Sequence, residues 1–209
     1  MSLSIVLKNA DRLPQIINEQ ISSEMNKRVR KNKNKVSRDF KFLIRGWIES
    51  SPEIQSLLSQ GTPGSLNAAF GLSPGSPNMA VESIVNAITN SIVVSFSNID
   101  RNLNGSATFN FLSKTFVSLL GLPDGHQKTE AGTDLHWLDW LLTKGDTTIV
   151  QGFFYKPSGK GRSGGGTMQF GGAFRVPAQF SGTVENNFVT RAFQGKDKEI
   201  SAALRGLLV

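Results

Sequence analysis

The chain has 209 residues, a length that fits one domain, or one domain with an extended arm, and that buries a core without covalent staples. It holds no cysteine, which excludes a disulfide framework and a thiolate metal site and fits assembly in a reducing cytoplasm. The net charge is +7; residues 1–60 hold 11 Lys and Arg against 6 Asp and Glu, so the basic excess is concentrated in one arm. The apolar runs are too short for a signal peptide or a membrane span, so we expect a soluble protein without a membrane partner.

Residues 11–49 are predicted to form a long amphipathic helix. With about 1.5 Å of rise per residue, this helix would span roughly 58 Å, which exceeds the width of a compact domain of this size. We therefore expect it to bend, or to protrude and pack on a neighbour. Its apolar positions step mostly by three or four: Leu13, Ile17, Ile21, Met25, Val29, Val36, Phe40, Leu43, Ile44 and Trp47.

A basic run interrupts this apolar pattern. One interpretation is a surface that contacts DNA phosphates or an acidic partner, and the other is a solvated helix face or a local break in the helix. No aromatic residue interleaves the run, which argues against a platform for stacking single-stranded bases. The cations of this predicted basic surface are Lys27, Arg28, Arg30, Lys31, Lys33, Lys35 and Arg38.

Residues 51–90 are predicted to form an insertion of short helices and loops. Ser51 can cap a helix that starts at Pro52 and ends near residue 60. Turn residues follow, and helical spacing resumes over 79–89.

The first hairpin is predicted for the strands 91–99 and 106–112. Both strands are rich in β-branched and aromatic residues, and the dipeptide Asn104-Gly105 between them is a strong hairpin signal. The apolar run 115–122 that follows is compatible with either a strand or a helix.

Two tryptophans, Trp137 and Trp140, lie in a short helix that is apolar on all sides. Such a helix is too apolar to be exposed, so we expect both side chains to pack in the core against the sheet or under a subunit contact.

A strand over 147–155 and strand pieces over 168–170 and 174–176 are predicted to flank a glycine-rich tip. This tip, 158–166, reads as a hairpin end or a mobile loop that a neighbouring subunit orders, with Lys160 and Arg162 as its contact residues. Ser181 or Thr183 can then cap a helix that carries Val184 to Phe193, and 200–208 form a last helix.

Candidate reaction centres fail on spacing or context. His126 and His136 lie ten residues apart without further ligands, whereas a metal site needs three or four. Ser163 stands in the letters of a nucleophile elbow, but loop precedes it and a strand follows, where the elbow requires a strand and a helix. We therefore expect no enzyme, no cofactor and no small-molecule substrate; a hydrolase acting through Ser163 remains the enzymatic alternative.

The succession GTDLHWLDWLLTKGD, a strand, GRSGGGTM and FRVPAQFSGTVENNFVTRAF resembles virion proteins of tailed bacteriophages, of the neck, tail-completion, tail-terminator or minor-tail type. The resemblance covers about 60 residues. It implies a subunit of a hexameric or dodecameric ring between the portal–connector stack and the tail tube. Its partners would be other phage neck, connector and tail proteins, with DNA possible in the lumen. The insertion from Ser50 to Asn90 departs from the compact family form.

Together, the patterns predict an α+β fold with a long N-terminal helix, a small and mostly antiparallel β-sheet with flanking helices, and a glycine-rich β-hairpin extension. The predicted organisation is a basic helical arm (1–50), a helical and loop insertion (51–90) and an α+β core with C-terminal helices (91–209). The predicted function is a structural ring protein of the phage head-to-tail junction, assembled in the host cytoplasm and located in the virion. The alternative is a basic nucleic-acid-binding protein.

Overall fold

The computed structural model describes residues 12–110, 115–129, 132–159, 161 and 163–208. The fold is α+β, as predicted, with a long N-terminal helix and small antiparallel sheets. The helices are α1 Leu13–Glu49, α2 Pro52–Leu58, α3 Leu66–Phe70, α4 Ser76–Asn90, α5 Val117–Leu120, α6 Trp137–Leu142, α7 Phe188–Phe193 and α8 Asp197–Arg205.

Among the described residues, the strands pair as three separate two-stranded antiparallel sheets, β1 with β2, β3 with β4 and β5 with β6. The first pair confirms the predicted hairpin, with Val93 opposite Asn110 and Phe96 opposite Ala107. The third pair is the glycine-rich hairpin, with Lys156 opposite Thr167. The strands are β1 Val93–Phe96, β2 Ala107–Asn110, β3 Gln127–Lys128, β4 Asp134–Leu135, β5 Val150–Lys156 and β6 Thr167–Phe174.

Helix α1 runs without interruption through the basic run, so the alternative of a local break there is wrong. Its apolar positions, however, do not share one face. Because the helix has about 3.6 residues per turn, each step of four residues advances about 40° around the axis. Leu13 and Val29, four such steps apart, are therefore about 160° apart, and Leu13 is exposed whereas Val29 is half-buried.

The chain divides into two compact units that are each assembled from distant segments. The first contains Met1–Phe40, Val93–Asn110 and Asp197–Val209, and the second contains Lys41–Ile92 and Phe111–Lys196. Each unit combines segments from more than one of the predicted regions 1–50, 51–90 and 91–209. The division of the chain into these three regions stays a prediction.

In the first unit, side chains on one face of α1 hold the β1–β2 hairpin and the C-terminal segment. Phe40 is buried and stacks on Phe109, with 4.4 Å between the ring centroids. The Asn26 amide donates to the Ile99 carbonyl at 2.9 Å and accepts from the Ile99 N–H at 2.8 Å. The Asn32 amide donates to the Leu207 carbonyl at 3.3 Å. These contacts fix the rotation of α1 within this unit.

In the second unit, α6 contributes four completely buried side chains to the core. The Trp137 ring lies 5.6 Å from that of Phe70 and has no exposed surface. Gly125 meets Leu138, so a methyl group at Gly125 would stand 3.1 Å from the leucine side chain. The other fully buried side chains of this unit include Ile54, Leu57, Leu66, Ile84, Leu119 and Phe188.

Several predicted boundaries are wrong for local reasons. Strand β6 continues through Gly171 and Gly172, where a break was expected, because both glycines adopt positive φ (106° and 70°) opposite an irregularity in β5. Helix α7 begins after Asn187, which caps it in place of Ser181 or Thr183, because its side chain accepts hydrogen bonds from two backbone N–H groups.

Candidate interaction surfaces

Part of the predicted basic surface forms a row along the exposed side of α1. The i, i+4, i+8 and i+11 spacing of its members sets them roughly opposite the half-buried Val29 and the buried Val36 and Phe40. The members of this basic row are Lys27, Lys31, Lys35 and Arg38, and all four are exposed. The remaining cations, Arg28, Arg30 and Lys33, are also exposed and lie beside the row or on other sides of the helix.

The cations of the basic surface differ in the hydrogen bonds and ion pairs that they already make. Arg28 donates to the Leu208 carbonyl at 2.9 Å and approaches Glu24 at 3.6 Å. Lys27 and Arg38 make exposed ion pairs with Glu24 at 3.8 Å and Asp39 at 3.7 Å, and such pairs contribute little to stability. Within the described ranges, no ion pair involves Arg30, Lys31, Lys33 or Lys35.

The first turns of α1 expose an apolar row, which includes Leu13, Ile17 and Ile21 of the predicted apolar pattern. Its spacing of i, i+3, i+4 and i+8 places the side chains on one face of the helix. The row consists of Leu13, Ile16, Ile17 and Ile21, which are 44%, 53%, 46% and 40% exposed. Isolated apolar residues are common on protein surfaces, but a continuous row on a helix is typical of a contact surface.

The predicted loop-tip residues Lys160 and Arg162 lie outside the described residues. Their neighbours 163–166 pack against α3 and the turn that precedes it. Ser163 Oγ donates to the Ala68 carbonyl at 3.3 Å, and the Tyr155 hydroxyl donates to the Gly165 carbonyl at 2.8 Å and accepts from the Gly64 N–H at 3.0 Å. This part of the tip is therefore docked within its own unit. Ser163 lies in a connection between two strands rather than at a strand-to-helix elbow.

The last glycines of the tip are required by close packing rather than by mobility. A Cβ atom on Gly165 would stand 2.5 Å from the Ala68 Cβ and 2.8 Å from the Thr62 carbonyl oxygen. A Cβ atom on Gly166 would stand 2.5 Å from Cε2 of Tyr155 and 2.7 Å from the Lys156 carbonyl oxygen. Only a residue without a side chain fits at these approaches.

The substitution Gly166→Ala should therefore lower the free energy of unfolding by about 1–3 kcal/mol, the usual cost of overpacking. Urea unfolding followed by circular dichroism measures this loss. Gly46→Ala is the matched control, since a Cβ at this position in α1 meets no atom of the described residues within 4 Å. Alanine favours a helix interior, so the control should be neutral or stabilising. Equal stabilities of the two variants would contradict the packing role of the tip.

The two tryptophans of α6 differ in burial. Trp137 is completely buried, which agrees with the expected core position, and its Nε1 has no hydrogen-bond partner among the described residues. Trp140 is half-buried, and its Nε1 donates to Thr147 Oγ1 at 3.2 Å. Trp137 is thus a core residue, whereas Trp140 keeps a face that is open to solvent or to a partner.

The two histidines, which are ten residues apart in the chain, stack on each other. The ring centroids of His126 and His136 are 3.9 Å apart, and His126 Nδ1 lies 2.9 Å from Asp134 Oδ2. Burial lowers the pKa of His136, and the neighbouring His126 lowers it further, while Asp139 and Asp134 act in the opposite direction. Within the described part of the chain, no group of three or more His, Cys, Asp or Glu residues is arranged to hold a metal ion.

A buried ion pair in the second unit was missed by sequence reasoning. Arg191 Nη2 donates to Glu53 Oε1 at 2.6 Å, and the Glu53 side chain is only 2% exposed. The pair lines a cleft of about 370 Å³ that also contacts Trp47 and Lys196. Glu53 Oε2 and Ser51 Oγ are buried there without a hydrogen-bond partner among the described residues. The partners are 138 residues apart, so no local pattern indicates the pair.

No protein-family model, curated protein or solved structure matches this chain. Among the helices of the described residues, none combines the length and apolar character that a membrane crossing requires.

Proposed function

We propose that this chain is a structural virion protein of a tailed phage that forms a homo-oligomeric ring, hexameric or dodecameric, at the neck or head-to-tail junction, where it completes or terminates the tail. The observation that carries the proposal is the exposed apolar row of α1. Its four aliphatic side chains, Leu13, Ile16, Ile17 and Ile21, are each at least 40% exposed.

A second copy of the chain is the simplest partner for this row. Aliphatic side chains at i, i+3, i+4 and i+8 form the ridge that one helix packs into the grooves of another. Covering them removes apolar surface from water, which is the main driving force for subunit association. A head-to-tail contact between identical subunits closes into a ring when the rotation permits.

The segment 132–193 resembles phage neck proteins. Its residues support the proposed structural function because they pack the core and cap a helix. Trp137 fills the core, and Asn187 caps α7 while its amide donates to the Leu142 and Thr183 carbonyls at 3.3 and 2.8 Å. Gly182 faces the Leu141 carbonyl too closely for any side chain. These residues maintain shape, which is what an assembly subunit requires of its framework.

The virion setting is part of the same proposal. The ring subunit would be made and assembled in the host cytoplasm and would then contact other neck, connector and tail proteins. Lys160 and Arg162, which lie between β5 and β6 in the sequence, are candidates for these contacts, together with the open face of Trp140, which is half-buried.

A double substitution in the row tests the proposal. Ile16→Gln with Ile17→Gln should convert the oligomer into smaller species, because the contact loses two central aliphatic side chains. Light scattering coupled to size-exclusion chromatography measures the mass. Folding should be unaffected, since exposed substitutions usually change the free energy of unfolding by less than about 0.5 kcal/mol.

The control replaces exposed apolar residues elsewhere. Met79→Gln with Val117→Gln removes side chains that are 62% and 67% exposed in the second unit. The control should keep the mass of the natural chain. If the Ile16/Ile17 variant also kept that mass, the α1 row would not be the subunit contact.

A further inference from the structure

We propose that the basic row of α1, Lys27, Lys31, Lys35 and Arg38, binds double-stranded DNA along its phosphate backbone without reading the base sequence. The inference goes beyond the proposed ring, because a single copy of the chain already carries the complete row. It is drawn from the charge, exposure and anchoring of these side chains.

The basic row lies in a stretch of high positive charge density. Residues 25–38 hold seven Lys and Arg and no acid, and the nearest acids, Glu24 and Asp39, flank this stretch. From 27 to 38 the helix rises about 17 Å, a length over which duplex DNA presents about ten phosphates. Like charges at i and i+4 repel one another along the helix, and a polyanion that lies beside the row relieves this repulsion.

The side chains of the basic row are free to bind phosphate groups. Lys31 and Lys35 are exposed and make no ion pair within the described ranges. Among the described residues, the one ion pair of Lys27 is with Glu24 at 3.8 Å, and both side chains are more than half exposed. Solvent screens such a pair, so a phosphate competes with it easily. Arg28, in contrast, is already engaged by the Leu208 carbonyl, and we therefore leave it out of the row.

The basic row is also held in a fixed orientation. The opposite face of α1 is anchored by the two hydrogen bonds between Asn26 and Ile99 and by the buried Val36 and Phe40. The helix cannot rotate to turn the lysines toward the protein without breaking these contacts. The cations are thus presented on a helix whose rotation is fixed, which lowers the entropic cost of binding a stiff polymer.

Duplex DNA fits this surface better than a single strand or an acidic protein. Single-strand sites combine cations with aromatic side chains on which bases stack, and no aromatic residue occurs between 27 and 38. Lysine, which provides three of the four cations in the row, is a flexible point charge without the fork that Arg uses to pair with individual carboxylates. Contacts of this kind position a protein on the phosphate backbone and carry no sequence information.

The test compares two variants of equal charge. The row variant is Lys27→Gln, Lys31→Gln and Lys35→Gln, and the control is Lys128→Gln, Lys156→Gln and Lys198→Gln, which removes three exposed lysines elsewhere. Fluorescence anisotropy with a labelled duplex of arbitrary sequence gives the affinity at several salt concentrations. In a plot of log affinity against log salt, the row variant should lose about 0.9 of the slope for each phosphate contact, or about three in total. The control should keep the slope of the natural chain.

Three outcomes would overturn the inference: no binding of duplex by the natural chain at low salt, equal slopes for the row and control variants, or tighter binding of single-stranded DNA or polyglutamate than of duplex. The mass of each sample is measured in parallel. Loss of DNA binding in the row variant with the oligomer intact supports the inference separately from the ring. A monomer that still binds duplex through the row would contradict only the ring.

Discussion

Replacement of Trp137 by alanine should lower the free energy of unfolding by about 3–5 kcal/mol, the usual cost of truncating a large aromatic side chain in a core. The indole is completely buried, and its ring lies 5.6 Å from Phe70. Residues from α3, α5 and α7 are fully buried in the same core, so the space left by the indole has several walls that only partly collapse. Chemical denaturation followed by circular dichroism measures the change.

The companion substitutions separate core packing from a general effect on α6. Trp140→Ala should cost clearly less, because Trp140 is only half-buried. Trp137→Phe keeps an aromatic ring and removes an Nε1 that has no partner among the described residues, so it should also cost less than alanine. A loss below about 0.5 kcal/mol for Trp137→Ala would contradict the core role, since that is the range of surface substitutions.

Replacement of Arg191 by methionine should be similarly severe, with a loss of about 3–5 kcal/mol, because it leaves a buried charge without its partner. The Glu53 carboxylate has a side-chain exposure of 2%, and Arg191 supplies its hydrogen bond at 2.6 Å. Arg191 also donates to Asn186 Oδ1 at 3.0 Å and to the Ser181 carbonyl at 3.5 Å. The same denaturation experiment measures the change, with Arg175→Met, an exposed arginine, as the control.

The double variant Glu53→Gln with Arg191→Met tests the physical reason. If the cost arises from an unpaired buried carboxylate, neutralising Glu53 should recover part of the loss, and the two single effects should not add. Strict additivity of the two substitutions would show that the guanidinium and the carboxylate act independently, and would contradict the proposed coupling.

The elements with strong local signals could be predicted from sequence. Pro52 at a helix start and the apolar crowding around Trp137 each act within a few residues, and each gave the correct element. The hairpin indicated by Asn104-Gly105 also forms, but its turn closes earlier, where the Leu103 N–H donates to the Asp100 carbonyl and Leu103 adopts a φ of 63°. The run 115–122, which was compatible with strand or helix, contains helix α5 because the buried Leu119 packs into the core. Here tertiary packing decides between helix and strand, and a short stretch of sequence does not contain that information.

The surfaces could be predicted only in part. The basic run was visible as composition, but its division into a free row and an engaged Arg28 depends on the Leu208 carbonyl, 180 residues away. The apolar pattern of α1 did not show which of its residues are exposed, because each step of four residues advances about 40° around a helix, so residues that look continuous in sequence lie on different faces. The glycine-rich tip was compatible with either a hairpin end or a mobile loop, because sequence alone does not distinguish glycine that permits motion from glycine that permits close packing.

The most direct test of the assembly proposal is the native mass of the full chain in solution over a range of protein concentrations. The account predicts a single closed species whose mass is six or twelve times the 22.7 kDa of one chain. Charge-state analysis by native mass spectrometry determines this multiple without a shape assumption. A chain that stays monomeric at the highest soluble concentration would contradict the ring.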